Sequence, residues 1–180
     1  MSDFAQDFVA HLEELHKHSS AAMAELRRSL GFAPGAYPPA YPYVERFVAA
    51  ERHAQDASRL ALYVVAGFYA LHPRQGGKSL AACLGELMRQ RDGAGIEQRF
   101  IALLGADAEN LAVYLRQVVS LLATGDLPLD YAALLRDLHL WLDPWIDPER
   151  RDVVRQRWAR DFYRALAAPA GETAPTPVND

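Results

Sequence analysis

Apolar residues return every third or fourth position along most of the chain, and strand-like alternation is nearly absent. Phe4, Phe8, Leu12, Leu15, Ser19, Ala22 and Leu26 step in this way and predict one long amphipathic helix ending near Gly31. The stretch FAPGAYPPAYPY that follows holds prolines at 34, 38, 39 and 42 and is expected to be non-helical. A second helix is expected after Pro42 with Val44, Phe47 and Val48. A third carries Ala57, Ala61, Val64, Phe68 and Leu71 on one face and closes at His72-Pro73. The Gly-rich connector HPRQGGKS leads to a helix from Ser79 to about Arg91, ended by Asp92-Gly93. Ile96, Phe100, Leu103 and Leu104 give a short helix stopped by Gly105. Asp107 is placed to N-cap the next, which turns Leu111, Tyr114, Leu115, Val118 and Leu122 inward and breaks at Gly125 and Pro128. Asp130 opens a helix with Leu134, Leu135, Leu138 and Trp141. After the loop DPWIDP, Pro148 suits the first turn of a last helix with Val154, Trp158, Phe162 and Ala165 on its core side. The expected fold class is all-α, a helical bundle of about seven helices forming a single domain over residues 1–167. Residues 168–180 lack any large aliphatic except Val178 and read as a disordered tail.

With 51% hydrophobic residues the chain has ample material for a packed core. Its longest apolar run, Leu60 to Leu71, is shorter than the roughly 20 residues a membrane-spanning helix needs. The first residues, MSDFAQDF, carry no basic region of the signal-peptide kind, so a cytoplasmic protein is expected. Cys83 is the single cysteine, which excludes an internal disulfide and a multi-cysteine zinc site.

The net charge of −4 argues at first against nucleic acid as a partner, but the positive charge is almost all arginine, with Lys17 and Lys78 the only lysines. Between Glu149 and Arg164 stand Arg150, Arg151, Arg155, Arg157, Arg160 and Arg164 against Glu149, Asp152 and Asp161. A guanidinium grips phosphate through a planar fork and stacks on bases, which suits oligonucleotide contact. A GC-rich genome would produce the same preference over lysine.

Few motifs suggest catalysis. GGKS at Gly76 to Ser79 is not a phosphate-binding loop, because His72 stands where the motif needs glycine and no strand precedes it. Arg74 and Lys78 could still touch phosphate there, although a solvated turn is the simpler reading. His11, His16 and His18 lack metal-site spacing and read as exposed helix histidines, so neither a metal nor a cofactor is expected. Cys83, among Leu80, Leu84 and Leu87, reads as a small buried hydrophobe. The acids read as helix-surface partners, for example Asp56 with Arg59 and Glu86 with Arg89. Tyr37, Tyr41 and Tyr43 could stack bases, but such tyrosines more often pin a proline-rich loop to the bundle. What remains is arginine. Arg150, Arg157 and Arg164 recur at seven residues with Arg160 beside them, a stripe able to track a phosphodiester backbone without reading bases. Arg27 and Arg28 end the first helix, where they also complement its dipole. Arg99, Arg116 and Arg136 lie beside the apolar stripes of their own helices.

In order along the chain, LRRSLG, AYPYVERFV, ERHAQDASRLALYVVAGFYALHP, EQRFIALLGAD, YLRQVVSLL, LDYAALLRDLHLW and WARDFY resemble the CasB family, the small subunit of the type I-E CRISPR surveillance complex Cascade. The resemblance runs from about Phe8 to Leu166 and rests on the order and spacing of these segments. It implies a non-catalytic helical subunit present as two copies among the other Cascade subunits on CRISPR RNA. Such a subunit contacts the target and displaced DNA strands without sequence preference and stabilises the R-loop. Family-type basic positions fall on Arg27, Arg28, Arg52, Arg99, Arg116 and Arg136, and the arginines of the last helix match more loosely. Gln117 stands where close relatives carry a second basic residue, a departure from the pattern. The competing expectation is a helical scaffold or adaptor whose arginines only form ion pairs.

Overall fold

The computed structural model describes residues 3–91 and 93–169. Among them are nine α-helices: α1 (Phe4–His18), α2 (Ser20–Arg28), the single turn α3 (Tyr41–Val44), α4 (Ala57–Leu71), α5 (Leu80–Arg91), α6 (Ala94–Leu104), α7 (Leu111–Gly125), α8 (Tyr131–Leu142) and α9 (Pro148–Ala167). The expected all-α bundle is therefore observed, with short 3-10 turns at Ser29–Gly31, Pro38–Ala40 and Glu45–Phe47. Most of the expected tail, residues 170–180, lies outside the described residues.

The centre of the bundle is α4. Every residue from Ala61 to Ala70 is buried, so this helix is enclosed on all sides rather than on the one face its spacing predicts. It packs chiefly against α8, with α2 and α7 closing around it. Asp56 starts it by accepting the Ser58 N–H at 2.9 Å, and the His72 N–H bonds the Phe68 carbonyl at its end. One apolar cluster draws on all eight long helices, and Phe100 stacked on Phe162 and Trp141 against Trp158 are among its largest side chains.

Three expectations from the sequence are corrected. The first helix is broken at Ser19, which leaves helical geometry at φ −146° and ψ 90°. The Ser19 N–H still bonds Leu15 O, while its Oγ accepts the Ala22 N–H, so one residue ends α1 and caps α2. The proline-rich stretch does turn helically over Pro38–Phe47, because Pro38 and Pro42 occupy first-turn positions whose N–H groups have no intrahelical acceptor to lose. Asp107 does not cap α7 directly. Its carboxylate binds the Asn110 backbone and side-chain amides, shaping a turn from which the helix starts at Leu111.

The tyrosines of the proline-rich stretch pin it to the bundle. Tyr37 OH donates to Glu25 at 2.7 Å and Tyr41 OH to the Gly35 carbonyl at 3.0 Å. Beside them Glu45 Oε1 accepts from Tyr63 OH at 2.7 Å and from Arg59 Nη2 at 2.6 Å. The Arg59 guanidinium is nearly buried and lies 4.9 Å from the Tyr63 ring centre. Partial burial of Glu45 raises its carboxyl, but the Tyr63 and Arg59 hydrogen bonds outweigh it and leave the group below its ordinary value of 4.5. A carboxyl depressed by folding contributes stability that is complete above its unfolded value and lost as pH falls through its folded value. Thermal melts of the native chain and Glu45→Gln across pH 3–6 should show a shallower acid loss in the variant. Equal slopes would show that this network carries no pH dependence.

Candidate nucleic-acid interface

The beginning of α1, the loop before α4 and the exposed side of α8 enclose a groove of about 360 Å3, with Phe47, Leu62 and Leu135 in its walls. Arg52 and Arg136 reach it from opposite elements, each with a side chain 46% exposed. Both are held by carboxylates that also cap helices. Asp3 accepts the Ala5 N–H at the start of α1 and pairs with Arg136. Asp56 caps α4 and pairs with Arg52 at 3.1 Å. The Ser58 hydroxyl and N–H, with Arg52, hold the Asp56 carboxyl below its ordinary value despite some desolvation. Half-exposed pairs of this kind contribute about 0–1 kcal/mol, so a phosphate oxygen can replace the carboxylate at small cost.

Two further grooves continue this one. Arg52 and His139 also line a cavity of about 460 Å3 that ends at Trp145, whose side chain is 92% exposed. On the other side Arg136 lines a groove shared with Lys78, Ser79 and Arg157. The shared residues join the three into a band running from Trp145 through Arg52 and Arg136 to Lys78 and Arg157. Six acids also line it and each is engaged: Asp3 by Arg136, Asp56 by Arg52, Asp137 by Arg157 and Trp158, Asp130 by the Ala133 N–H, Asp143 by the Trp145 N–H, and Asp161 by Ser79 Oγ at 2.7 Å.

The remaining sequence-predicted residues are not gathered here. Arg27 Nε donates to the Ala70 carbonyl at 3.1 Å near the end of α4, and Arg28 pairs with Glu25 at 2.5 Å. Arg116 donates to the Leu30 carbonyl at 3.0 Å, beside a separate groove formed by Ser29–Gly35 and α7. Among the described residues Arg99 bonds the Gly95 carbonyl of its own helix. On α9 the seven-residue stripe is interrupted. Arg157 is tied to Asp137, whereas Arg150, Arg160 and Arg164 are exposed with no partner among the described residues. Sequence reasoning missed Trp145, His53 and His139. An aromatic in a Pro/Asp loop and a histidine three residues after Arg136 are the available signals.

Other candidates resolve into structure. The GGKS loop lies against residues 128–130, with Gly76 N–H to Leu129 O at 2.9 Å and Asp130 N–H to Lys78 O at 2.8 Å. Lys78 pairs with Glu86 and Arg74 with Asp126. The ion pairs read from spacing are thus exchanged: Asp56 meets Arg52 rather than Arg59, and Arg89 reaches the carbonyls of Ala168 and Pro169 rather than Glu86. His11 is not a free surface group. Its ring is half-buried against Phe47, its Nε2–H donates to Tyr43 O at 2.8 Å, and Nδ1 accepts from Arg46 at 2.6 Å. Cys83 is buried, which pushes its thiol up to about 12. No group of three His, Cys, Asp or Glu among the described residues is arranged to hold a metal ion. No described helix is long and apolar enough to cross a membrane.

Comparison with known proteins identifies the family. The sequence model described as CRISPR-associated protein Cse2 matches residues 22–163. The chain is 46% identical over 151 residues to a CRISPR-associated protein Cse2 of Thermus thermophilus, covering 83% of this chain and 82% of that one. It superposes on the crystal structure of a Cse2-family protein from the same organism with TM-score 0.76 and 42% identity, covering 91% of this chain and 99% of that one. The M. ruber CasB structure gives 0.75 and 35%, covering 93% and 96%. A chain of a CRISPR RNA-guided surveillance complex gives 0.75 and 26%, covering 91% and 93%. Given this agreement of sequence and fold, the chain belongs to the Cse2 family of CRISPR-associated proteins, whose solved members also carry the name CasB.

Proposed function

We propose that this chain is the non-catalytic small subunit of a type I-E Cascade complex. In that reading it is one helical domain, present twice in a cytoplasmic assembly with the other subunits and CRISPR RNA. It stabilises the R-loop by holding the backbones of the target and displaced strands. The observation that carries the reading is the band of Arg52, Arg136, Lys78 and Arg157 across α8, α9 and the loops before α4 and α5. Backbone contact is the appropriate mode, since exchange of a DNA duplex for an RNA–DNA hybrid is nearly balanced and modest phosphate contacts tip it. Support for a non-catalytic role comes from the engaged carboxylates of this band and from a buried, undissociated Cys83 thiol.

One observation favours the adaptor reading: Arg27, Arg28, Arg52, Arg99, Arg116, Arg136 and Arg157 all have partners within the protein. Complexes reconstituted with Arg52→Ala or Arg136→Ala separate the two. We expect unchanged helicity, a less stable R-loop and a salt slope reduced by roughly one for each lost phosphate contact. Arg27→Ala and Arg116→Ala, which release carbonyls, should instead lower the melting temperature. Loss of melting temperature with an unchanged salt slope at Arg52 and Arg136 would establish the adaptor reading.

A further inference from the structure

The cavity between Trp145 and Arg52 has a composition that phosphate contact alone does not explain. An indole 92% exposed forms one end, while His53, Gln55 and His139 offer ring and amide groups along its walls. Its two carboxylates are occupied, Asp56 by Arg52 and Ser58, and Asp143 by the Trp145 N–H at 2.9 Å. That last bond, with the Ile146 N–H on Asp143 O and Arg151 Nη2 on the same carbonyl at 3.0 Å, builds a turn that presents the indole to solvent. The side chain is displayed by a defined backbone, not left over from the core. Trp141 and Trp158 show the alternative, since both are fully buried.

We infer that this cavity is a stacking site for one unpaired nucleobase of a single strand, with Trp145 as its platform. The inference rests on the proposed backbone-binding role. Its volume, about 460 Å3, falls within the usual range of small-molecule sites. Arg52 lines both this cavity and the groove that holds Arg136, so a strand whose phosphates follow the arginines brings a base to the indole. The mixed donors and acceptors of the walls suit the neutral polar edge of a base. The aromatic face binds any base, which agrees with recognition lacking sequence preference. Duplex DNA keeps its bases stacked on one another and cannot use the site.

Iodide quenching of tryptophan emission reports this residue selectively, because the other two tryptophans are buried. The full chain is titrated with dT12 and with an abasic oligomer of equal length. We expect dT12 to shield Trp145 from iodide. Trp145→Ala should bind dT12 about tenfold more weakly, the loss of one base–aromatic stack, and bind the abasic oligomer like the native chain. Trp145→Phe should recover most of the affinity, while Arg136→Ala should weaken both ligands. If Trp145→Ala binds dT12 normally while Arg136→Ala weakens both, the stacking site is overturned and the backbone reading stands. If the native chain binds neither oligomer, alone or in the assembled complex, both fall. Shielding of Trp145 by assembly before nucleic acid is added would assign it to a protein neighbour and overturn the inference.

Discussion

Asp137→Ala is expected to destabilise the protein by about 2–3 kcal/mol, a fall in melting temperature of roughly 5–10 °C for a chain of this size. Asp137 is a buried carboxylate on α8 that binds α9 through both oxygens. Oδ1 pairs with Arg157 and Oδ2 accepts the Trp158 Nε1–H at 2.7 Å. Alanine leaves the indole N–H unsatisfied between α8 and α9, and a buried donor without an acceptor costs about 1–3 kcal/mol. The loss of Arg157 adds less, because that side chain is 47% exposed and water replaces the carboxylate. Asp137→Asn, which retains an acceptor for Trp158, should recover about half of the loss. A fall below about 1 kcal/mol in Asp137→Ala would show that the two helices do not depend on this link. The result also bears on function, since Arg157→Ala strands the Asp137 carboxylate. Weaker nucleic-acid binding in that variant is evidence of contact only if its melting temperature is unchanged.

Gly85→Ala should be destabilising by about 2 kcal/mol, although alanine is the better helix former by roughly 1 kcal/mol. Side by side, α5 and α9 run in one direction: Ser79 meets Asp161, Gly85 meets Phe162, and Arg89 meets Ala168. A Cβ at Gly85 would lie 2.2 Å from the Phe162 carbonyl oxygen and 3.0 Å from Ala165 Cβ. The obstacle is backbone, so no rotamer change relieves it and the helices must separate, loosening the stacked Phe100–Phe162 pair. Gly67→Ala provides the contrast. Its nearest obstacle, at 2.6 Å, is the end of the flexible Leu30 side chain. That variant should lie within about 1 kcal/mol of the native chain in denaturant melts. Equal behaviour of the two would show that α5 and α9 can move apart freely.

Most of the helices were legible because they have an apolar period, and some also a start signal that acts within one turn, Asp130 for α8 and Pro148 for α9, whereas α6 and α7 begin without a side-chain cap. The break at Ser19 was not, because the apolar spacing continues through it, and a serine does not reveal whether its hydroxyl faces water or caps the next turn. The arginines were legible as a group and not as a site. Spacing places Arg150, Arg157 and Arg164 on one flank of α9, yet only packing against α8 brings Asp137 under Arg157 and leaves the other two without a partner among the described residues. Spacing likewise paired Asp56 with Arg59, whereas the turn before α4 gives Asp56 to Arg52 and the fold delivers Glu45 to Arg59. Arg52, Arg136 and Trp145 stand far apart along the chain and share a surface only because α8 packs against α4 and ends in the turn that displays the indole. Helix formation is decided by neighbours three or four residues away, which the sequence displays. Which charges meet across helices depends on how those helices pack, and only the tertiary structure decides that.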